Sequence, residues 1–188
     1  MIDAQKIYTD PTSGLYCPDS RVTVTKINKL VKLFERKKLP IFFIRHMHKK
    51  NGSDLGRMFD FSGVVPKDFD FKENSAEVEY TEKLYFPKEF VEIRKNRYSS
   101  FIGTSLEAKL KKEKVNRVVI TGFMTNFCCE SAARDAHDRD YFVDFILDAT
   151  GTPGAETMNE KQVRKAVGEF LSMGFARVSS ARNFAKKF

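Results

Sequence analysis

Apolar residues recur along this chain in two alternating rhythms. In "PDSRVTVTKINKLVKLFERKK", Val24, Ile27, Leu30, Val31 and Phe34 keep the three- and four-residue spacing of one helix face, behind Asp19 or Ser20 as a cap. The following "LPIFFIRHM" is instead a continuous apolar run between Pro40 and basic residues, the pattern of a strand buried on both faces. The exchange then repeats. "FVEIRK" reads as a short strand, and "GTSLEAKLKKEK" as a helix with Thr104 and Glu107 at capping-box spacing. "RVVITG" (strand), the segment from Thr125 onward (helix) and "YFVDFILDA" (strand) follow. "NEKQVRKAVGEFLSMG" predicts a helix with Val163, Ala166, Val167, Phe170 and Leu171 inward, and "FARVSS" a last strand. Residues 49–90, charged and rich in Phe, show neither period and read as an elaborated connection. Alternating strands and helices predict an α/β fold with right-handed crossovers. No repeat, low-complexity stretch or linker divides the chain, so residues 1–188 are expected to form a single domain.

Composition narrows this picture without changing it. At 188 residues, 41% hydrophobic and 31% charged, the chain is long enough to bury a substantial core. It contains no run of eighteen apolar residues, and "MIDAQKIYTD" lacks the basic-then-apolar layout of a signal peptide, so a membrane span is not expected and a cytoplasmic location is. The net charge of +8 raises the question of a nucleic-acid partner. Runs such as "LKKEKVNR" and "NFAKKF" are short, and basic residues elsewhere are interleaved with Asp and Glu, which favours a solvated surface and no nucleic-acid partner.

The chemistry centres on cysteine. Of three cysteines, two are adjacent, in "TGFMTNFCCESAARDA"; the odd number and unpaired spacing argue for free thiols rather than disulfides or structural zinc. "VVITG" ends a parallel strand at Gly122, which puts Cys128 and Cys129 at the strand's carboxyl end and in the first turn of the next helix. Ligands bind at that edge of doubly wound sheets, and a helix N-terminus favours thiolate over thiol. Against this, adjacent free cysteines also occur simply as small buried hydrophobes.

"GFMTNFCCESAARDAHDRDYFVDFILDAT" closely resembles the nucleophile segment of the isochorismatase-like cysteine hydrolases, whose pattern runs roughly G-x-x-T-x-x-C-V-x-x-T-A-R-D-A. By that resemblance Cys128 matches the nucleophile, and Cys129 stands where the family commonly has valine. "MIDAQ" resembles the family's I-D-x-Q, with Asp3 and Gln5, and "IRKNRYSSFIGTSLEAKL" its strand-ending lysine, with Lys95 followed by Ser100, Phe101 and Gly103. The resemblance covers nearly the whole chain and is weakest between residues 49 and 90.

It implies a three-layer αβα Rossmann-like fold with a parallel sheet of about six strands in the order 3-2-1-4-5-6. That order sets the first and fourth strands side by side, so Asp3, Lys95 and Cys128 can converge in one cleft. The resemblance further implies that Asp3 is the base and Lys95 holds positive charge beside the pair. Cys128 attacks a carbonyl carbon of a small amide or related compound, and backbone N–H groups of Met124 and Cys128 hold the oxyanion. Gln5 and Phe123 are expected at the substrate, with Tyr8 or Tyr16 near it, and a non-proline cis peptide is expected at Phe123–Met124. A homodimer or tetramer is implied. Cys17 is left open between site and core.

Two departures shape the remaining expectations. Only Met1 and Ile2 precede Asp3 where the family has several apolar residues, which predicts a nearly absent first strand and either a start upstream of this sequence or a loosely held Asp3, with, as the alternative, an impaired member acting as a binding or scaffold protein. Some nicotinamidases of the family bind a metal through Asp-x-His and a later His. Here "RHMH" offers His46 and His48, expected on opposite faces of the strand, without the Asp, so neither metal nor cofactor is expected; G-x-G-x-x-G and P-loop patterns are absent. Isochorismate itself is disfavoured, because a vinyl ether calls for protonation and water rather than a cysteine nucleophile.

Overall fold

A computed structural model describes residues 1–60, 62–63 and 68–187. Among them five strands are found: β1 (Phe42–His46), β2 (Val91–Lys95), β3 (Arg117–Phe123), β4 (Phe142–Gly151) and β5 (Arg177–Ser179). All pairings are parallel, β1 with β2 and β3 with β4 and then β5. The two groups meet through one residue. Ile2 forms parallel bridges to Ile44 of β1 and to Gly122 of β3. The expected first strand is thus reduced to a single bridging residue, and about six strands become five plus Ile2.

Glycine makes that junction possible. Gly122 lies at φ +127°, and a Cβ there would overlap the carbonyl oxygen of Ile2. Ile2 accordingly lies flat against β3: its N–H donates to Thr121 O at 2.8 Å and its carbonyl accepts from Phe123 N–H at 2.9 Å. On the other side Asp3 N–H donates to Ile44 O at 2.9 Å, and Ile44 N–H to Met1 O at 2.9 Å. Below this bridge, a cavity of about 460 Å³ lies between the starts of β1 and β3, lined by Leu30, Phe34, Ile41 and Val118 among others. It sits at the edge of the sheet opposite to the strand carboxyl ends.

Helices cover both faces. α1 (Lys6–Thr9), α2 (Ser20–Arg36) and α6 (Ala181–Ala185) pack on one side, where Val24, Ile27, Val31 and Phe184 meet Phe43, Phe123 and Ile146. α3 (Leu106–Lys112), α4 (Glu130–His137) and α5 (Glu160–Ser172) lie on the other, where Leu110, Ala133, Val163 and Leu171 meet Ile44, Ile120 and Phe145. Neighbours such as Phe43 and Ile44 point to opposite layers because side chains alternate along a strand. No helix among the described residues is long and apolar enough to cross a membrane.

Three local expectations are corrected. α3 starts at Leu106, too late for a Thr104–Glu107 box: Thr104 Oγ1 accepts from Leu106 N–H at 3.2 Å, while Glu107 is held by Arg139 at 2.6 Å. A complete capping box forms instead at Asn159 and Gln162, heading α5. In α5 the buried face is turned toward Gly168, whose missing side chain admits Leu147; Phe170 is left 58% exposed and Ala166 half-buried. Asp19 stands at the N-cap of α2 but makes no side-chain cap bond, because its carboxylate pairs with Arg164 at 2.7 Å.

Candidate active site

Four strand ends converge at the carboxyl edge of the sheet. Asp3 follows the Ile2 bridge, His46 ends β1, Lys95 ends β2 directly opposite His46, and Cys128 follows β3. The turn after β3 is not the first turn of an α-helix, as its sequence predicts. Thr125–Cys129 forms a π-helical turn in which Met124 O accepts from both Phe127 and Cys129 N–H, and α4 begins only at Glu130. The Phe123–Met124 peptide bond is cis, where the resemblance places it.

Asp3, Lys95 and Cys128 come together. Lys95 Nζ lies 2.8 Å from Asp3 Oδ2 and donates to Cys128 Sγ at 3.2 Å and to Arg97 O at 3.1 Å. The three residues are 0%, 2% and 1% exposed. Asp3 is therefore not loosely held. Its backbone adopts φ +48°, a left-handed conformation that aspartate tolerates, fixed by the Ile44 bond on one side and by Gln5 N–H donating to Asp3 O at 2.8 Å on the other.

Burial governs the electrostatics. It raises the Asp3 carboxyl above its ordinary range, with the Lys95 ammonium pulling back. For Lys95, burial works downward, but the Asp3 carboxylate and the Cys128 sulfur outweigh it and the ammonium is strengthened. The Cys128 thiol is pushed up to about 12, by burial first, against the lowering pull of Lys95. The thiolate expected from a helix N-terminus is thus not the resting form: desolvation exceeds the help of one cation, and the sulfur keeps its proton beside a carboxylate able to take it.

Other expected residues have structural employment. Gln5 Nε2 donates to His46 O and Val78 O, both at 2.9 Å, and its Oε1 accepts from His46 N–H at 2.9 Å. Its amide clamps the end of β1 instead of facing a ligand. Phe123 is fully buried, stacked on Tyr8 with centroids 5.5 Å apart, so it lies beneath the site; Tyr16 is half-buried. Cys129 and Cys17 pack in the two apolar layers. Phe127 and Tyr98, not singled out in the sequence, meet at 5.2 Å beside Cys128, with Phe127 38% exposed.

The sequence marks His46 only as a possible metal ligand. Residues two apart in a strand share a face, so His46 and His48 do not diverge: their Nε2 atoms are 3.1 Å apart and both rings are buried. Among the described residues the one group of three potential ligand side chains within 4.8 Å is Asp3, His46 and Cys128. Lys95 already places its ammonium against two of these, and the imidazole pair lacks a third ligand, so these residues do not fit a metal ion.

Comparison with known proteins gives the family. A family model described as the isochorismatase domain matches residues 1–180. Nicotinamidase 3 of Arabidopsis thaliana is 35% identical over 147 residues, covering 78% of this chain and 69% of that protein. The ureidoacrylate amidohydrolase RutB of Methylorubrum extorquens is 39% identical over 70 residues, 37% of this chain and 28% of its own. Among solved structures, a cysteine hydrolase from Pseudomonas syringae pv. phaseolicola superposes with a TM-score of 0.89 at 26% identity, over 100% of this chain and 89% of that one. An isochorismatase-like hydrolase from Alkaliphilus metalliredigens gives 0.81 at 23% identity, over 100% and 96% respectively, a likeness of fold. The chain belongs to the isochorismatase family and is a hydrolase of that family.

Proposed function

We propose that the protein hydrolyses the C–N bond of a small amide through Asp3, Lys95 and Cys128. The observation that carries this reading is Lys95 Nζ standing between Asp3 Oδ2 and Cys128 Sγ, at 2.8 and 3.2 Å, in a site closed to solvent. Asp3 takes the thiol proton as sulfur attacks the carbonyl carbon, and the Lys95 ammonium steadies the sulfur's developing charge. Backbone N–H groups of Met124 and Cys128 receive the oxyanion. The C–N bond breaks as the leaving amine takes the proton from Asp3, and water then cleaves the thioester. The relatives named for nicotinamide and ureidoacrylate support an amide substrate class.

Ammonia release from nicotinamide, ureidoacrylate and a panel of small primary amides tests this directly. Turnover of at least one amide by the wild type, abolished in Cys128→Ala, is the expected result. An active Cys128→Ala variant, or no turnover of any panel member, counts against it.

A further inference from the structure

We infer that His46, held by His48 and Asp54, is the base that takes the proton of the hydrolytic water in the second half-reaction. The inference rests on the cysteine-hydrolase reading above and adds a base to it.

A chain of side chains leads from the protein's edge to the nucleophile. Asp54, 17% exposed at its side chain, faces His48 Nδ1 with Oδ1 at 3.5 Å; His48 Nε2 meets His46 Nε2 at 3.1 Å. A ring nitrogen of His46 lies within 4.8 Å of both Cys128 Sγ and an Asp3 oxygen. The Asp54 contact selects between the tautomers: no hydrogen bond forms across its 3.5 Å, but a carboxylate can only attract a proton, so His48 carries its own on Nδ1 and accepts at Nε2 from His46 Nε2–H. That leaves His46 Nδ1 with a bare lone pair, and this buried atom has no partner. Phe71, stacked on the imidazole with centroids 4.3 Å apart, and the Gln5 clamp on the His46 backbone fix the ring.

The charges around His46 show why it needs support. Lys95 and Arg97 on the β2 side, and Asp3 and Cys128 across the site, surround it, and burial followed by Lys95 holds its pKa well below the ordinary value. A proton left on His46 would stand beside the Lys95 ammonium. Passing the Nε2 proton to His48 moves that charge away from Lys95, onto an imidazolium that faces the Asp54 carboxylate.

The step balances. Water oxygen bonds to the thioester carbon and gives one proton to His46; the C–S bond breaks with its electron pair on sulfur; the relay reverses and that proton returns to Cys128. The products are the carboxylic acid and the starting thiol, with Asp3 ionised throughout.

The test uses p-nitrophenyl acetate, a small activated ester that acetylates a nucleophilic cysteine with a burst of nitrophenolate and then turns over at the deacylation rate. His46→Gln is expected to slow the steady state by about 10²-fold, and His48→Gln and Asp54→Asn by about tenfold, with the burst persisting and acetyl-Cys128 accumulating by mass spectrometry. An unchanged steady state in His48→Gln and Asp54→Asn overturns the relay. No burst in the wild type, or one that survives in Cys128→Ala, removes the cysteine-hydrolase reading and the relay with it. Independently of any variant, long-range 1H–15N spectra of the wild type are expected to show His46 protonated on Nε2 and His48 on Nδ1; the opposite tautomers overturn the inference.

Discussion

The ammonium of Lys95 donates to the sulfur of Cys128 at 3.2 Å, yet the thiol's pKa is pushed up to about 12 because burial outweighs that single charge. The resting pair is therefore ammonium and thiol, with the Asp3 carboxylate 2.8 Å from the ammonium.

Alkylation should report this state. Followed peptide by peptide, modification of Cys128 is expected to be slow at pH 7 and still to be rising above pH 9. Lys95→Met should slow it further, since removing the cation removes a lowering influence. A rate that levels off below pH 8 would contradict the burial-dominated site.

Alkaline pH should also weaken the fold. Cys17, Cys128 and Cys129 are all raised in the folded state, by burial first. An unfolded cysteine ionises near pH ~8.5, so stability is fully present below that value and is lost as pH rises toward the folded pKa. Each thiol contributes a loss of roughly 1.4 kcal/mol per pH unit above that point. Thermal melts between pH 7 and 10.5 are expected to fall from about pH 9, less steeply in Cys17→Ala. Identical slopes for wild type and Cys17→Ala would argue against buried thiols as the cause.

Gly122→Ala tests how Asp3 is placed. The added methyl collides with the carbonyl of Ile2, at a backbone angle of φ +127° that alanine rarely adopts. A loss of about 2 kcal/mol or more is expected, with disproportionate loss of activity because Asp3 moves with Ile2. An active, equally stable variant would show that the bridge does not position Asp3.

Asn159→Ala removes the cap of α5. It is expected to cost about 1 kcal/mol and leave turnover per folded molecule unchanged. Unaltered melting would mean that the box contributes nothing to stability.

Much of this protein is legible in one dimension because periodicity is local. The apolar faces of α2 and α5 and the continuous runs of β1, β3 and β4 lie in contiguous residues, so a parallel α/β order with Cys128 at a strand's carboxyl end follows from spacing. Asp3, Lys95 and Cys128 are identified as a group by resemblance in the sequence, but their separations of 2.8 and 3.2 Å arise only when β1, β2 and β3 align around Ile2.

Tertiary structure decided the rest, where a side chain's role depends on what packs against it. Two apolar residues before Asp3 cannot reveal that Gly122 lets Ile2 bond to strands on both sides and hold Asp3 buried. Nothing in the local spacing of "MTNFCC" distinguishes a π turn from an α turn, or tells that desolvation of Cys128 exceeds the pull of Lys95. Gln5 reads as a ligand-binding amide until its three hydrogen bonds to His46 and Val78 are seen. The imidazoles of "RHMH" become a pair linking Asp54 to the nucleophile only through burial and long-range contact. Sequence determines which residues can carry charge, donate or pack; the fold sets the distances and the exclusion of water that make those capacities a site.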